Sequence, residues 1–251
     1  MKENLKTLTA LDKFCKAHGI RFYYFIAPDK HKIYGEALSS FSKLRPDSES
    51  RAAQWVRYIR KNSTVKVVYP IESMIAAKGE KILYYKTDTH WNKLGAHLAY
   101  LELGKVIKKD FQALNLFRGN KLTSYSHPKG DLQLLCPAFI PDDKTQYKEP
   151  LLPRKFQLRH NAPKEYNFTN PRGSYSLLFL RDSFGTDMLP FFYYSFRHVN
   201  SFWQYNIPDK ILRNLKQKKP DILILEHVER YLPRAMDELK KYPVPLKSGV
   251  K

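Results

Sequence analysis

Three short runs of continuously apolar residues constrain the fold of this 251-residue chain more than any other feature. They are IRFYYFIA (20–27), SLLFLR (176–181) and DILILE (221–226). Strands that are apolar on both faces are typical of a parallel sheet that helices cover on each side. Because segments with helical periodicity lie between the runs, the sequence predicts an α/β fold with a mostly parallel sheet.

Apolar spacing predicts the remaining elements. Helices are predicted over residues 3–18, 48–61, 92–107 and 208–218, with a short helix at IESMIAA (71–77) and a terminal helix that includes HVERYL (227–232). Strands are predicted over residues 64–70 and 196–203, with a third strand or hairpin arm at KILYYKT (81–87). Residues 108–173 show little periodicity and many Pro, Asn, Lys and Ser, which predicts a loop-rich insertion or cap on a single domain spanning residues 1–251.

The charge of the chain is strongly positive, with 44 Lys and Arg against 24 Asp and Glu, a net charge of +20. A field of this sign favours polyanionic partners such as nucleic acid, anionic lipid headgroups or an acidic glycan. The basic residues are scattered and form no nucleic-acid motif, so no nucleic-acid partner is expected. A basic, solvated surface with no polyanion partner is an equally weighted interpretation.

The two cysteines and the N-terminus bear on the environment of the chain. Cys15 and Cys136 form no C-x-x-C pair, which argues against a zinc cluster and predicts two free thiols. No apolar run approaches the length of a membrane span, and the N-terminus lacks the apolar core of a signal peptide. The expectation is a cytosolic protein, or a segment that follows an anchor or signal in a longer natural chain.

The stretch KTDTHWN places Asp88 and His90 two residues apart. Three interpretations are open: an orienting acid with a catalytic base, two ligands of a metal site completed by His97, or a polar turn. The metal interpretation lacks a clear third ligand at a sensible spacing. The first interpretation requires a nucleophile elsewhere in the chain.

Ser183, in the stretch LLFLRDSFG, is the candidate nucleophile. It follows a buried strand at the start of a predicted helix, a position that exposes a hydroxyl at the sheet edge beside free backbone N–H groups. A serine hydroxyl needs an adjacent base, and the base needs an orienting acid. Asp88 and His90 fill both roles if TDTH folds beside RDSFG. The alternative is that Asp182 and Ser183 only cap a helix.

Five blocks carry a family resemblance. They are LDKFCKAHGIRFYYFIAPDKHKIYGE, TDTHWNKLGAH, GDLQLL, LLFLRDSFG and KKPDILILEHVERYL. In composition and order they resemble the alginate O-acetyltransferase-like (AlgX/AlgJ-type) branch of the SGNH hydrolase superfamily. In that branch the Asp-x-His motif precedes the serine, as it does here, and the resemblance covers nearly the whole chain.

The resemblance implies a flavodoxin-like, three-layer α/β/α sandwich and a Ser–His–Asp triad, with Ser183 as nucleophile, His90 as base and Asp88 as its orienting acid. It implies an O-acetyltransferase that acetylates a bacterial surface or capsular polysaccharide, an anionic acceptor, through an acetyl-serine intermediate. No bound cofactor or metal is expected. The acetyl donor would be acetyl-CoA or an acetylated partner protein, including a membrane acyl-donor partner. The implied location is the periplasm or cell envelope, against a cytoplasmic one if the chain is full length.

The substrate contacts stay open, because the sequence departs from the family pattern at two places. Relatives have Gly where this chain has Arg181, which predicts either a different turn or an ordinary strand-end conformation. The segment FWQYN (202–206) replaces an Asp and an Arg that relatives often carry. Candidate oxyanion donors, beside the Ser183 backbone N–H, are Gln204, Tyr205 and Asn206. Candidate contacts to the glycan are Arg172, Arg181 and Lys30 through charge and Trp91 and Trp203 through ring stacking, with surface solvation and core packing as their respective alternative roles.

Two other functions compete with acetyl transfer. A carbohydrate acetylesterase would use the same triad, because the placement of the acceptor and the exclusion of water decide between the two reactions and neither is visible in sequence. A non-catalytic module that binds a polyanionic glycan through the positive field is the second alternative.

Overall fold

The computed structural model describes residues 1–38, 49–119, 122–125, 130–132, 145–148, 157–162, 165–203 and 219–240. The predicted helix over residues 208–218 lies outside the described residues, as do Cys136 and the candidate oxyanion donors Gln204, Tyr205 and Asn206. Within the described part of the chain, no helix is both long and apolar enough to cross a membrane.

A seven-stranded sheet in the order β2-β1-β9-β7-β8-β6-β5 forms the centre of the molecule. Its strands are β1 (Arg21–Ala27), β2 (Lys66–Val68), β5 (Gln157–Ala162), β6 (Glu165–Thr169), β7 (Ser174–Arg181), β8 (Phe196–Trp203) and β9 (Ile222–Val228). The first five strands in the spatial order are parallel, whereas β6 and β5 add an antiparallel edge. The last strand in sequence, β9, therefore lies between β1 and β7.

Eight α-helices are defined among the described residues. They are α1 (Lys2–Ala17), α2 (Lys30–Ile33), α3 (Arg51–Asn62), α4 (Ile71–Ala77), α5 (Lys93–Ile107), α6 (Ser183–Thr186), α7 (Leu189–Ser195) and α8 (Leu232–Lys240). Short 3-10 helices cover Gly35–Leu38 and Glu229–Tyr231. The predicted short helix at 71–77 and the predicted strand at 196–203 are confirmed with their bounds unchanged.

Side chains alternate between two apolar cores on opposite faces of the sheet. In β1, Phe22 and Tyr24 contribute to the core under α1, α3 and α8, whereas Tyr23 and Phe25 contribute to the core under α4, α5 and α7. All four residues are fully buried, because helices cover both faces of the strand. The predicted three-layer α/β/α sandwich with a mostly parallel sheet is confirmed.

Residues 81–87, predicted as a third strand or a hairpin arm, are not a strand of the central sheet. They form a short hairpin arm, with an isolated antiparallel bridge between Tyr84 and Trp91 and a hydrogen bond from the Asn92 N–H to the Leu83 carbonyl oxygen at 2.8 Å. The predicted start of the terminal helix was wrong. His227 and Val228 do not begin the terminal helix. They extend β9, where Val228 pairs with Ala27 at the end of β1.

The segment predicted as an insertion contributes to two sheets. β5 and β6 join the antiparallel edge of the central sheet, while β3 (Leu122–Tyr125) and β4 (Thr145–Lys148) pair with each other in a separate two-stranded sheet. The organisation as one domain with an insertion stays a prediction.

The carboxyl ends of β1, β7 and β9 meet at one edge of the sheet. Ala27 is paired with Val228, and Leu180 is paired with Leu225 on the other side of β9. In open α/β sheets this edge is where sites form, because helix N-termini and loop side chains converge there. Ser183 follows directly on the end of β7.

Candidate active site

The structure brings Asp88, His90 and Ser183 into one hydrogen-bonded chain. His90 Nε2 lies 2.7 Å from Ser183 Oγ, and His90 Nδ1 lies 2.6 Å from Asp88 Oδ1. The tautomer protonated on Nδ1 satisfies both contacts, since Nδ1–H donates to the carboxylate and Nε2 accepts from the hydroxyl. Asp88 is buried, whereas His90 and Ser183 are half-buried, so the chain runs from the interior towards solvent.

The loop that carries Asp88 and His90 is held from several sides. Lys30 Nζ donates to the carbonyl oxygens of Tyr85, Lys86 and Asp88 at 2.7, 2.9 and 3.1 Å. Asp88 also accepts from the His90 backbone N–H at 2.8 Å, which closes a tight turn between the two residues. These bonds fix the carboxylate before any ligand binds, as an orienting group requires.

A close approach from residues 130–132 completes the support of this loop. The Leu132 N–H donates to the Thr87 carbonyl oxygen at 3.0 Å, and the Asp131 N–H donates to Asp88 Oδ2 at 3.2 Å. A Cβ on Gly130 would overlap the Thr87 carbonyl oxygen and meet the Asp88 Cβ at 2.7 Å. Glycine is therefore required where this segment crosses the loop.

The turn that carries Ser183 is fixed by two buried carboxyl groups. Asp182 caps α6, with Oδ1 accepting from the Phe184 N–H and Oδ2 from the Val228 N–H, each at 2.8 Å. Glu226, on β9, accepts from the Asp182 N–H at 3.0 Å through Oε2, whereas its buried Oε1 has no hydrogen-bond partner among the described residues. Gly185 lets Glu226 approach, because a Cβ there would meet Glu226 Oε2 at 2.6 Å.

The two loops are also joined next to the triad. Trp91 Nε1 donates to the Phe184 carbonyl oxygen at 3.1 Å, so the residue after His90 binds the residue after Ser183. The His90 and Phe184 rings lie 4.7 Å apart between centroids. This second link holds the imidazole against the nucleophile turn.

Ionisation in the site follows from burial and neighbouring charge. Burial alone lowers the pKa of His90, but the hydrogen bond that His90 donates to Asp88, the Asp88 charge and the Asp131 charge raise the pKa above its ordinary value. Burial and the Asp182 charge raise the pKa of Glu226 well above its ordinary value. Burial beside the Asp182 carboxylate therefore favours the protonated, neutral form of Glu226.

Comparisons with known proteins identify the family. A family model described as the SGNH hydrolase-like domain, acetyltransferase AlgX, matches residues 1–167. The chain belongs to this family. The resemblance seen in the five sequence blocks is thereby confirmed.

Relatives of this AlgX-family chain include a curated protein and several solved structures. The probable alginate O-acetylase AlgJ of Pseudomonas fluorescens is 26% identical over 239 residues, which cover 87% of this chain and 58% of that protein. This chain thus spans less than two-thirds of that relative's length.

Two solved structures share the fold at lower identity. Bacillus cereus PatB1 with a sulfonyl adduct superposes with a TM-score of 0.66 at 17% identity, covering 92% of this chain and 89% of that one. The O-acetyltransferase domain of Pseudomonas putida AlgJ superposes with a TM-score of 0.60 at 20% identity, covering 96% and 90%. At these identities the likeness establishes the fold alone.

Arg181 was predicted as a glycan contact, but its side chain is buried in the structure. The side chain is 1% exposed and donates to Ser201 Oγ and Thr186 Oγ1 at 2.9 and 2.7 Å. Its guanidinium also lies over the Tyr166 and Trp203 rings. The described non-glycine residues with positive φ are Tyr175 and Lys219, so Arg181 has an ordinary strand-end backbone in this AlgX-family member.

The structure gives three other predicted glycan contacts surroundings that do not favour this role. Trp91 is fully buried and offers no face to a sugar ring. Arg172 precedes β7, roughly 25 Å along the strand from Ser183. Lys30 is committed to the carbonyl oxygens of the Asp88 loop. Trp203 is half-buried at the end of β8, paired with Arg181, and its stacking role stays a prediction.

His97 does not join Asp88 and His90 in a metal site. Its Nε2 lies 2.9 Å from the Phe117 carbonyl oxygen, and its ring stacks on Phe191. Asp131 supplies a third ligand-type group near Asp88 and His90. Both imidazole nitrogens of His90 are already engaged by Asp88 and Ser183, so the arrangement fits proton transfer better than ion binding.

Sequence reasoning missed three residues around the triad. Asp131 faces His90, Glu226 supports the nucleophile turn, and Arg230 lies over the Phe184 ring and donates to Thr89 Oγ1 at 3.2 Å. The stretch HVER, directly after a buried strand, was the available signal for Arg230, since strand ends supply site residues. Asp131 and Glu226 lie in the blocks GDLQLL and KKPDILILEHVERYL, but no role was predicted for either of them.

Exchanging Glu226 for glutamine is expected to change how stability depends on pH. Glu226 keeps its proton in the folded chain and loses it on unfolding at neutral pH, so native stability falls as the pH rises above the ordinary Glu pKa. The side-chain oxygen of glutamine can accept from the Asp182 N–H in the same way, but glutamine does not titrate. The stability of Glu226→Gln relative to the native chain should therefore rise from about pH 5 to 7 by up to about 1.4 kcal/mol per pH unit.

Denaturant unfolding at several pH values measures this difference. The exposed Glu80 serves as control, and Glu80→Gln should track the native protein. A difference between Glu226→Gln and the native chain that stays constant with pH would show that Glu226 is ionised in the folded state.

Proposed function

We propose that the protein is an O-acetyltransferase that acetylates hydroxyl groups of a bacterial polysaccharide, with Ser183 as nucleophile, His90 as general base and Asp88 as the orienting acid. The observation that carries the proposal is the 2.7 Å contact between His90 Nε2 and Ser183 Oγ, with Asp88 at 2.6 Å from the opposite nitrogen. Family membership supports the same chemistry, because the matching model describes an acetyltransferase.

The reaction has two half-reactions. His90 Nε2 takes the Ser183 proton as Oγ attacks the acetyl carbonyl carbon, and the resulting imidazolium returns that proton to the leaving group. The acetyl–Ser183 ester is then attacked by a sugar hydroxyl, whose proton passes to His90 and on to Ser183 Oγ. Asp88 stabilises the imidazolium in both steps.

The developing oxyanion needs donors at the Ser183 turn. The Ser183 backbone N–H is the proposed first donor, with Gln204, Tyr205 or Asn206 as the second. β8 ends at Trp203, beside Arg181, at the sheet edge that carries Ser183. One such donor commonly contributes about 3 kcal/mol to transition-state stabilisation.

The proposed polysaccharide acceptor and acetyl donor rest on the net charge of the chain and on its relatives. The net charge of +20 favours an anionic polymer, and the Pseudomonas fluorescens relative is a probable alginate O-acetylase. An anionic polysaccharide of this class is the proposed acceptor. No resident cofactor is proposed. Acetyl-CoA or an acetylated partner protein, such as a membrane acyl donor, supplies the acetyl group.

A carbohydrate acetylesterase is the second candidate function. The side chain of His90 is 24% exposed, so water can reach the triad. Water attacking acetyl–Ser183 would give hydrolysis with the same residues. The choice of acceptor, and not the triad, separates the two functions.

An acceptor assay tests the proposed function. The protein is incubated with 4-nitrophenyl acetate and alginate oligosaccharides, and the oligosaccharides are analysed by mass spectrometry. Acetylated oligosaccharide that depends on Ser183 supports transfer. Acetate released without acetylated acceptor would favour the esterase. Retained oligosaccharide binding with no release of acetate would favour a glycan-binding module.

Replacing Asp131 with asparagine is expected to shift the pH dependence of acetate release. His90 must be neutral to accept a proton, so activity falls as the pH drops through its raised pKa. The Asp131 carboxylate lies 3.9 Å from His90 Nδ1 and is 45% exposed, so solvent weakens its effect. Asp131→Asn should move the acidic limb to lower pH by less than about one unit.

The pH profile of kcat/KM for 4-nitrophenyl acetate measures this shift. Asp237→Asn, at an exposed position on α8, is the matched control and should leave the limb in place. A limb that moves to higher pH in Asp131→Asn would contradict the assignment of His90 as the base.

A further inference from the structure

A second polar cluster lies at the same sheet edge, outside the triad. Asp29 follows β1 and Glu229 follows β9, and both line a cavity of about 310 Å³ together with His31 from α2. One carboxylate oxygen of Asp29, one of Glu229 and one imidazole nitrogen of His31 all lie within 4.8 Å of one another. Three groups of these types at this spacing match the ligands of a divalent ion.

Asp29 supplies a second, independent observation in this cluster, a buried carboxylate oxygen without a donor. Its side chain is only 3% exposed, yet Oδ2 is buried and has no hydrogen-bond partner among the described residues. A buried carboxylate oxygen without a donor costs several kcal/mol unless a donor or cation satisfies it. The other oxygen, Oδ1, accepts from Arg230, so Oδ2 is the Asp29 oxygen that lacks a hydrogen-bond donor among the described residues.

The neighbouring groups hold the three side chains in place. Tyr69 Oη donates to Glu229 Oε2 at 2.5 Å, and the Asp29 backbone N–H donates to the same oxygen at 3.2 Å. Arg230 fixes Asp29 through Oδ1. Outer partners of this kind orient metal ligands and sharpen their affinity.

We propose that Asp29, His31 and Glu229 bind one divalent transition-metal ion, with Zn²⁺ as the best fit. One imidazole and two carboxylates form a mixed N/O set that suits Zn²⁺, and the cavity leaves room for water at a fourth position. Lys32 and Arg51 also line the cavity, so the positive field weakens binding relative to closed structural zinc sites. The ion would join the loops after β1 and β9.

This proposal is independent of the acetyl-transfer proposal, and its test does not use activity. Untagged protein freed of metal with a chelator is titrated with ZnCl₂ by calorimetry, and bound zinc is counted by elemental analysis after dialysis. The expected result is one ion per chain. Asp29→Asn, His31→Gln and Glu229→Gln should each raise the Kd at least about tenfold.

Two controls separate this site from others on the chain. His198→Gln removes an exposed histidine and Asp131→Asn removes the carboxylate beside the triad, and neither should change the Kd for zinc. No heat and no retained zinc at millimolar ZnCl₂ would overturn the proposal. So would binding that survives His31→Gln but is lost in Asp131→Asn. If Asp29→Asn does not fold by circular dichroism, the half-buried His31 decides the outcome.

Discussion

Replacing Ser183 with alanine is expected to reduce acetyl transfer and acetate release by at least about a thousandfold. The Ser183 hydroxyl is the only group removed, and it contacts His90 Nε2 at 2.7 Å. Without it no acetyl ester forms on the chain, and attack by water or by the acceptor must proceed without a covalent intermediate. Rates are measured with 4-nitrophenyl acetate and, in parallel, with an oligosaccharide acceptor.

Ser174 provides the matched control for this substitution. It begins β7, the strand whose other end leads to Ser183, roughly 25 Å away. Ser174→Ala should retain the native rate. Because Ser183 is half-buried and its backbone is fixed by the Asp182 cap, the thermal midpoint of Ser183→Ala should stay close to the native value. A rate within tenfold of native in Ser183→Ala would refute its role as nucleophile.

Replacing Asp88 with asparagine is expected to lower kcat by about ten-thousandfold. Asp88 Oδ1 accepts from His90 Nδ1–H, which leaves Nε2 free to take the serine proton. An asparagine amide can present its N–H₂ group to Nδ1, which favours the opposite tautomer and places a proton on the nitrogen that faces Ser183. The amide also removes the negative charge that stabilises the imidazolium.

The Asp88→Asn result is interpreted against two measurements. Asp237→Asn, at an exposed position, should leave kcat unchanged. The acidic limb of any residual activity should move to lower pH, because the Asp88 hydrogen bond and charge are the main effects that raise the pKa of His90 against burial. A kcat above one tenth of the native value would show that Asp88 does not orient the base.

Both the sheet and the triad could be predicted from the sequence, because both follow from recognising the buried apolar strands. β1, β7 and β9 are buried on both faces, so their composition alone marks them as central strands. Once those strands are placed, Ser183 falls at a strand end. Asp88 and His90 were then joined to it by the chemical needs of a serine nucleophile. The structure brings these three side chains together, and their catalytic roles remain proposals.

Apolar composition gave a wrong expectation where residues are buried but do not belong to a strand of the sheet. Tyr84 and Tyr85 look like strand residues because both are buried, but Tyr84 Oη donates to the Pro28 carbonyl oxygen and the backbone forms no ladder. Arg181 looked like a solvent-facing cation. It is buried because Tyr166 and Ser201, each distant in sequence, surround its guanidinium. Such long-range contacts leave no local pattern.

The cluster of Asp29, His31 and Glu229 could not have been predicted from spacing. Asp29 and Glu229 are separated by 200 residues, and they meet only because the last strand, β9, inserts beside β1. The same insertion places Glu226 beneath Asp182. Strand order, which the sequence did not predict, therefore decides both the support of the nucleophile and the proposed metal site.

The most direct test of the acetyl-transfer account is intact-protein mass spectrometry after a brief pulse of acetyl donor. The account predicts a mass increase of about 42 Da, one acetyl group, carried by the peptide that contains Ser183. The increase should be absent in Ser183→Ala and strongly reduced in His90→Ala. No adduct together with no ester turnover, or an adduct that persists in Ser183→Ala, would contradict the account.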